Sequence, residues 1–308
     1  LRHNEGGALL DAIQTAGLFI KTGPIVQVRG RSSDTNQYKN QVYKDTDPKI
    51  NYKGPLVILH NMYSASASEI LAGALQDYGR AIIVGSDHSF GKGTVQTFIK
   101  LDEFKQFSAQ FKPMGALKLT IQKFYRINGG TTQHKGVEPD IILPNKSDHL
   151  EVGERFLDYA LGWDTVSPLR YSEWYDSKLN IQKLASSSQQ RISGSSHYKT
   201  LNEHLSFIKK RSQDTYVYLD AETAISKKLE ASSELDEYNK SVVKLENLEF
   251  NIPHIESLSK AQQESYEDWI KTIEKDIDIN ESSAVLNDLI GQLNSDSKDA
   301  VSSSSYTP

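Results

Sequence analysis

A chain of 308 residues is long enough for two domains, each with its own core. A formal net charge of -5 with 24% charged residues gives no electrostatic ground for a nucleic-acid partner or an anionic membrane surface, and the absence of cysteine excludes thiolate nucleophiles, disulfides and cysteine-bound metals. No apolar run approaches the roughly 20 residues of a membrane-spanning helix, and no signal peptide is visible.

Leu1 to Gly7 reads as the end of a buried strand and a glycine turn, which makes the chain part of a longer protein. Ala8 to Ile20 has Leu9, Leu10, Ile13 and Ala16 at helical spacing, and Gly23-Pro24 punctuates the loop that follows. Ile25 to Val28 reads as a strand, and the polar stretch Arg31 to Tyr52 as a mobile loop. Pro55 to Leu59 is an apolar run of strand length, Ser66 to Tyr78 a helix, and Ala81 to Val84 a second short buried strand. Strand, helix and strand at this spacing form a βαβ unit, so part of the sheet is expected to be parallel. Leu117 to Tyr125 alternates as a half-exposed strand does, and Asn128-Gly-Gly130 turns the chain toward Gly136 to Leu143.

Near Leu150 glycine becomes scarce and lysine, glutamate, serine and leucine take over in helix-compatible runs, clearest over Ala221 to Asn247 and Lys260 to Asp276. The expected architecture is α/β, a mixed sheet with helices over 1–148, a helical domain over 149–293 and a disordered serine-rich tail over 294–308. The helical region carries no motif with chemistry; its Ser257 and Lys260 pair sits in a stretch rich in both residues.

Two segments carry chemistry: Tyr63-Ser-Ala-Ser-Ala-Ser-Glu69 and Ser89-Phe-Gly-Lys-Gly-Thr-Val-Gln96. A serine at a strand-to-helix turn presents its hydroxyl at the sheet edge, next to free backbone N–H groups of the first helical turn that can bind an oxyanion. Ser64, Ser66 and Ser68 compete for that role, spacing alone does not choose among them, and serine is also a favoured helix cap. Lys92 sits between two glycines in apolar surroundings and can take a hydroxyl proton when its amine is neutral, a state burial favours. On a strand, residues 92, 94 and 96 share a face, so Gln96 is placed to hold Lys92.

Glu69 lies one turn after Ser66 and reads as a capping-box residue. Asp77 is on the same side of the helix as Ser66 but about 16 Å along its axis, too far to take its proton. Gly6 and Gly7 offer N–H donors to an oxyanion, with Ala67 as the second donor. Gly85 to Thr94 resembles a phosphate-binding loop but has one residue too many between its glycines and Gly93 in the hydroxyl position, so no nucleotide is expected. His60, His88 and His134 have no spacing that recommends them, and no metal or other cofactor is implied.

Arg2-His-Asn-Glu-Gly-Gly7, Gly17-Leu-Phe-Ile20, Gly23-Pro-Ile-Val-Gln-Val-Arg29, Ser64-Ala-Ser-Ala-Ser-Glu-Ile70, Gln76-Asp-Tyr-Gly-Arg80, Phe90-Gly-Lys-Gly-Thr-Val-Gln96 and Lys135-Gly-Val-Glu-Pro-Asp-Ile141 together resemble the C-terminal processing peptidases, most of all their tail-specific branch in Gram-negative bacteria. The likeness covers the first 145 or so residues; Gly153-Glu-Arg and Trp163-Asp resemble the start of that branch's helical region. The resemblance implies a crotonase-like core and assigns the nucleophile to Ser66, the base to Lys92, its orienting partner to Gln96, a further important carboxylate to Asp77, and the oxyanion hole to Gly6, Gly7 and Ala67. It also implies a periplasmic endopeptidase, at or near the inner membrane. Its substrates would be proteins with apolar, flexible C-termini, captured by a PDZ domain outside this chain, with a lipoprotein adaptor as partner. Two departures stand out: the Ser66–Lys92 interval is one residue longer than is common in the family, and Glu5 stands where glycine is frequent. A non-catalytic scaffold that keeps the fold, and an acyl-transfer enzyme on a small ester or amide, are the alternatives.

Overall fold

The computed structural model describes residues 1–32, 37–104, 111–175, 179–213, 215–241 and 257–303. Its backbone contacts divide the chain into two units, Leu1–Asp140 with Glu151–Leu179, and Ile141–Leu150 with Asn180–Pro308. The boundary expected at 148–149 falls inside Ile141–Leu150, and Glu151–Leu179 groups with the first unit.

In the first unit the elements run α1 (Leu9–Gly17), β1 (Gly23–Arg31), β2 (Tyr38–Asp45), β3 (Val57–His60), α2 (Ala67–Asp77), β4 (Ile82–Gly85), β5 (Thr94–Lys100) and β6 (Ala116–Tyr125). The continuous apolar runs at β3 and β4 pair in parallel, Val57 opposite Ile82 and His60 opposite Gly85, with α2 as the crossover between them. Strands β2, β1, β6 and β5 form an antiparallel sheet in that order. Apolar side chains of α1 (Ile13, Ala16), β1 (Ile25, Val26, Val28), α2 (Ile70, Ala74, Leu75), β4 (Ile83) and β6 (Phe124) close into one core. The unit is therefore of mixed α/β type, and α2 is buried on nearly every side from Ala67 to Leu75.

One expectation fails here. Arg31 to Tyr52, read as a loop, contains β2, paired along its length with β1 from Tyr38 opposite Arg31 to Asp45 opposite Gly23. β2 lies at the end of the sheet order and most of its residues face water. An edge strand drawn into register by an apolar neighbour needs no hydrophobic alternation of its own, so its sequence reads as a loop.

Arg80, just past α2, is wholly buried. It donates to the carbonyls of Phe19 (2.8 Å) and Tyr52 (2.9 Å), and its guanidinium lies over the rings of Phe19, Tyr52 and Trp174, the last at 4.6 Å. These contacts replace the water a buried cation loses and tie three distant stretches of the unit to the end of α2.

The second unit begins with the two-residue strand β7 (Ile141–Ile142) and continues as helices α3 (Ile181–Gly194), α4 (Ser196–Ser212), α5 (Ala221–Ser241), α6 (Lys260–Ile273) and α7 (Ile277–Ser303). Asn180 caps α3 and Ser259 with Gln262 forms a capping box on α6. Arg191 of α3 bonds Glu281 through both Nε and Nη2 and reaches Asp288 on α7 through Nη1. His204 of α4 stacks on Tyr238 of α5 with ring centroids 4.4 Å apart. The helix expected over 221–247 is seen to Ser241, and 242–247 lie outside the described residues. The tail expected without structure over 294–308 is helical to Ser303, since no glycine or proline interrupts 292–303, and 304–308 lie outside the described residues. Among the described residues no helix is long and apolar enough to cross a membrane.

Candidate active site

Of the three serines around the start of α2, Ser64 and Ser68 are buried and Ser66 is half-buried. Ser64 is committed to the local turn, its hydroxyl donating to the Leu1 carbonyl at 2.7 Å and accepting from the Asn61 N–H at 3.0 Å. Ser66 is the N-cap of α2, with φ at 56° and ψ at -114°. A non-glycine residue in that region costs about 1–3 kcal/mol, which the surrounding contacts must hold in place. The sharp turn brings Ser66 to the mouth of the helix, at the positive end of its dipole, where the Ser68 and Glu69 N–H groups bond the Ala65 and Ser66 carbonyls at 3.1 and 2.9 Å.

What holds the turn is Glu69. Its Oε2 accepts from the Ser66 N–H at 2.7 Å and from the Lys92 N–H at 2.9 Å. Its Oε1 accepts from the Gly91 N–H at 2.7 Å and from the Ser89 hydroxyl. A single carboxylate oxygen thus joins the backbone of the serine turn to the backbone of the lysine loop. Ser89 in turn accepts from the Val137 N–H at 2.7 Å, and the Phe90 N–H reaches the Ser64 carbonyl at 2.9 Å. Burial pushes the Glu69 carboxyl up to about 7, against the four donors, which favour the ionised form. The capping box seen in the sequence is half of this arrangement; the half that reaches Lys92 was not legible.

The lysine loop is packed from the other side as well. A Cβ at Gly93 would lie 2.4 Å from the Gln133 nitrogen and 2.7 Å from the Gln133 Cβ, so only glycine lets this loop close on residues 131–133. The Gly93 N–H donates to Gln133 Oε1 at 2.8 Å, and Gln133 Nε2 donates to Glu154 Oε1 at 3.0 Å. Neither Gln133 nor Glu154 was singled out by sequence reasoning. Lys92 itself is half-buried.

Gly6 has φ at 94°, and a Cβ there would lie 2.7 Å from the Ala67 nitrogen and 3.0 Å from the Ser66 Cβ. The chain of residues 4–7 thus runs directly against the mouth of α2, with the Ala65 N–H bonded to the Asn4 carbonyl at 3.0 Å. The Gly6 N–H is engaged by Asn4 Oδ1 at 2.9 Å, while a Cβ at Gly7 would meet nothing within 4 Å. Of the glycine pair, Gly6 is the one packed against Ser66 and Ala67, and a side chain at Gly7 would enter open space. His60 at the end of β3 is buried, and burial pushes its ring down to about 4, so it stays neutral at physiological pH.

Gln96 does not share a strand face with Lys92. β5 begins at Thr94, after Lys92, and the register with β6 shifts between Val95 and Gln96. Thr94 is buried and Gln96 is exposed. Asp77 lies at the opposite end of α2 from Ser66. It pairs with the Arg126 guanidinium, through Nε at 3.1 Å, and accepts from Asn128 at 2.8 Å. Burial raises its pKa and Arg126 opposes the rise. This half-buried pair anchors the end of β6 to α2. Asp77→Ala is expected to lower stability by about 3 kcal/mol by leaving Arg126 without its counter-charge, read as a shift in the urea midpoint; an unmoved midpoint would remove the anchor.

Residues 1–143 match peptidase family S41, and residues 147–291 match the C-terminal domain of tail specific protease. The tail-specific protease of Haemophilus influenzae is 43% identical over 225 residues, 71% of this chain and 31% of that protein. The carboxy-terminal-processing protease of Bartonella bacilliformis is 43% identical over 144 residues, 46% of this chain and 30% of that protein. Among solved structures, a photosystem II D1 C-terminal processing protease is 29% identical with a TM-score of 0.37, over 46% of this chain and 33% of that one. The chain thus spans under a third of the length of these curated relatives. It belongs to the S41 peptidases, with a second half of the tail-specific protease C-terminal-domain type.

Proposed function

We propose that this chain carries the chemistry of a serine endopeptidase with Ser66 as nucleophile and Lys92 as general base, acting on proteins with apolar, flexible C-termini. The observation that supports it most is the shared oxygen of Glu69, which holds the backbones of Ser66 and Lys92 together (2.7 and 2.9 Å). In this reading the neutral Lys92 amine takes the Ser66 hydroxyl proton as Oγ attacks the scissile carbonyl. The oxyanion receives N–H bonds from Ala67 and the glycine pair. Lys92 then passes its proton to the leaving amine. Water, deprotonated by Lys92, attacks the acyl-serine and frees the enzyme. Gln96 enters as the partner that steadies the Lys92 amine once substrate covers the site.

We further propose a periplasmic location near the inner membrane, a PDZ domain outside this chain and a lipoprotein adaptor. The test is digestion of one unfolded protein bearing either an apolar or a charged C-terminus by the full-length enzyme. The apolar-tailed form is expected to be cut about tenfold faster or more, and Ser66→Ala is expected to cut neither. Equal rates on both tails would remove the tail preference; cleavage by Ser66→Ala would remove the nucleophile.

A further inference from the structure

Three consecutive backbone N–H groups in the lysine loop end on buried side-chain acceptors. Those of Gly91 and Lys92 end on Glu69, and that of Gly93 ends on Gln133 Oε1 at 2.8 Å. Glu69 comes from α2, on the nucleophile's side. Gln133 comes from the turn after β6, is fully buried, and holds the opposite side of the loop.

A glutamine amide has nearly the same shape whichever way it points, so Gln133 can present either an acceptor or a donor to Gly93. Only the acceptor is useful there, because a donor would leave two N–H groups facing each other away from water. Glu154 decides the matter. Its carboxylate accepts from Gln133 Nε2 at 3.0 Å, which forces Oε1 toward Gly93. The same residue's backbone N–H bonds the Phe90 carbonyl at 2.8 Å, so the Glu154 segment grips the loop on both sides of Lys92. Glu154 lies beyond the stretch that matches the S41 peptidases and inside the stretch that matches the C-terminal domain.

We propose that Gln133 and Glu154 are positioning residues for Lys92, so that the lysine loop is completed by a segment of the C-terminal-domain stretch. Glu154 fixes the orientation of the Gln133 amide, and Gln133 fixes the backbone that presents the Lys92 side chain. The catalytic part of this inference rests on the reading of Lys92 as general base.

A donor–acceptor swap in the full-length protein tests it. Gln133→Glu removes the donor and sets two carboxylates against each other. It is expected to lower kcat about tenfold or more with KM unchanged, because a small displacement of a catalytic group is felt in the chemical step. Glu154→Gln keeps an acceptor and is expected to stay near wild type. The double variant Gln133→Glu/Glu154→Gln restores one donor and one acceptor in exchanged places and is expected to recover kcat to within about threefold.

Hydrogen exchange at the amides of residues 91–93 supplies a readout independent of activity, expected to quicken about tenfold in Gln133→Glu and to return in the double variant. Unchanged exchange in Gln133→Glu, or no recovery in the double variant, overturns the tether. Quickened exchange with kcat unchanged overturns the positioning role. Glu154→Ala, at a half-exposed position, gives the same readings if Gln133→Glu does not fold. Lys92→Ala runs in parallel: if it still cleaves, the base assignment falls, while the exchange data decide the tether on their own.

Discussion

Lys92→Ala is expected to lower kcat by about 10⁴-fold while moving the melting temperature by no more than about 2 °C. The two effects separate because the fold uses the Lys92 backbone and leaves the amine unused. The N–H that bonds Glu69 at 2.9 Å survives in alanine, and the flanking Gly91 and Gly93 contacts are untouched. The side chain is half-buried in the loop before β5, outside the core, so its removal opens no large cavity. Lys92→Arg sharpens the test: a guanidinium is always protonated and cannot accept the hydroxyl proton, so it is expected to fail as alanine does. Steady-state cleavage of an unfolded protein with an apolar tail, beside a thermal melt, checks both statements. Either variant retaining more than about a tenth of wild-type kcat would sink the general-base role.

Glu69→Ala acts on stability first. It strips the partner from the Ser66, Gly91 and Lys92 N–H groups and from the Ser89 hydroxyl in a site with little access to water. At about 1–3 kcal/mol for each buried donor left unpaired, and with some relaxation, the loss is expected to reach about 5 kcal/mol, enough to unfold a marginal domain. Glu69→Gln is milder and carries a pH signature. The folded carboxyl titrates near 7, against an ordinary value of 4.5, so the folded state binds the proton more tightly than the unfolded chain. The associated stability is fully present below about 4.5 and is lost as the pH rises through 7, a total of about 3 kcal/mol. Denaturant midpoints of wild type and Glu69→Gln, compared at intervals from pH 5 to 8, should therefore shift relative to each other in the direction that weakens wild type as pH rises. A gap that stays constant over that range would show that Glu69 does not titrate there.

The parts of the fold legible in the sequence are those whose pattern comes from their own burial. The apolar runs at β3 and β4 and the helical spacing of α2 announced a parallel βαβ unit, and the structure has it. β2 was missed because its partner supplies the order and its residues face water. The geometry around Lys92 was only partly readable. Period-two counting needs an unbroken strand, and here the strand starts late and shifts register at Val95 and Gln96. The capping-box spacing revealed the bond from Glu69 to Ser66, a partner three residues away, but not the bonds to Ser89, Gly91 and Lys92, which only the fold brings near. Gln133 sits in a polar run, Thr131-Thr-Gln133, that reads as a surface turn, yet all three residues are buried. Glu154 lies where composition had already turned toward the helical region, and composition says nothing about which unit a segment folds onto.

The arrangement around Arg80 has an optical consequence. Of the three tryptophans, Trp163 and Trp174 belong to the first unit and Trp269 to the second. Trp174 lies under the Arg80 guanidinium at 4.6 Å with its N–H backbone group bonded to the Tyr78 carbonyl, whereas Trp269 on α6 is 53% exposed. Emission from a Trp269→Phe variant then reports only the peptidase unit, and emission from a Trp163→Phe/Trp174→Phe variant only the helical one. Two melts read this way, at one scan rate, reveal whether the halves lose structure together or one after the other.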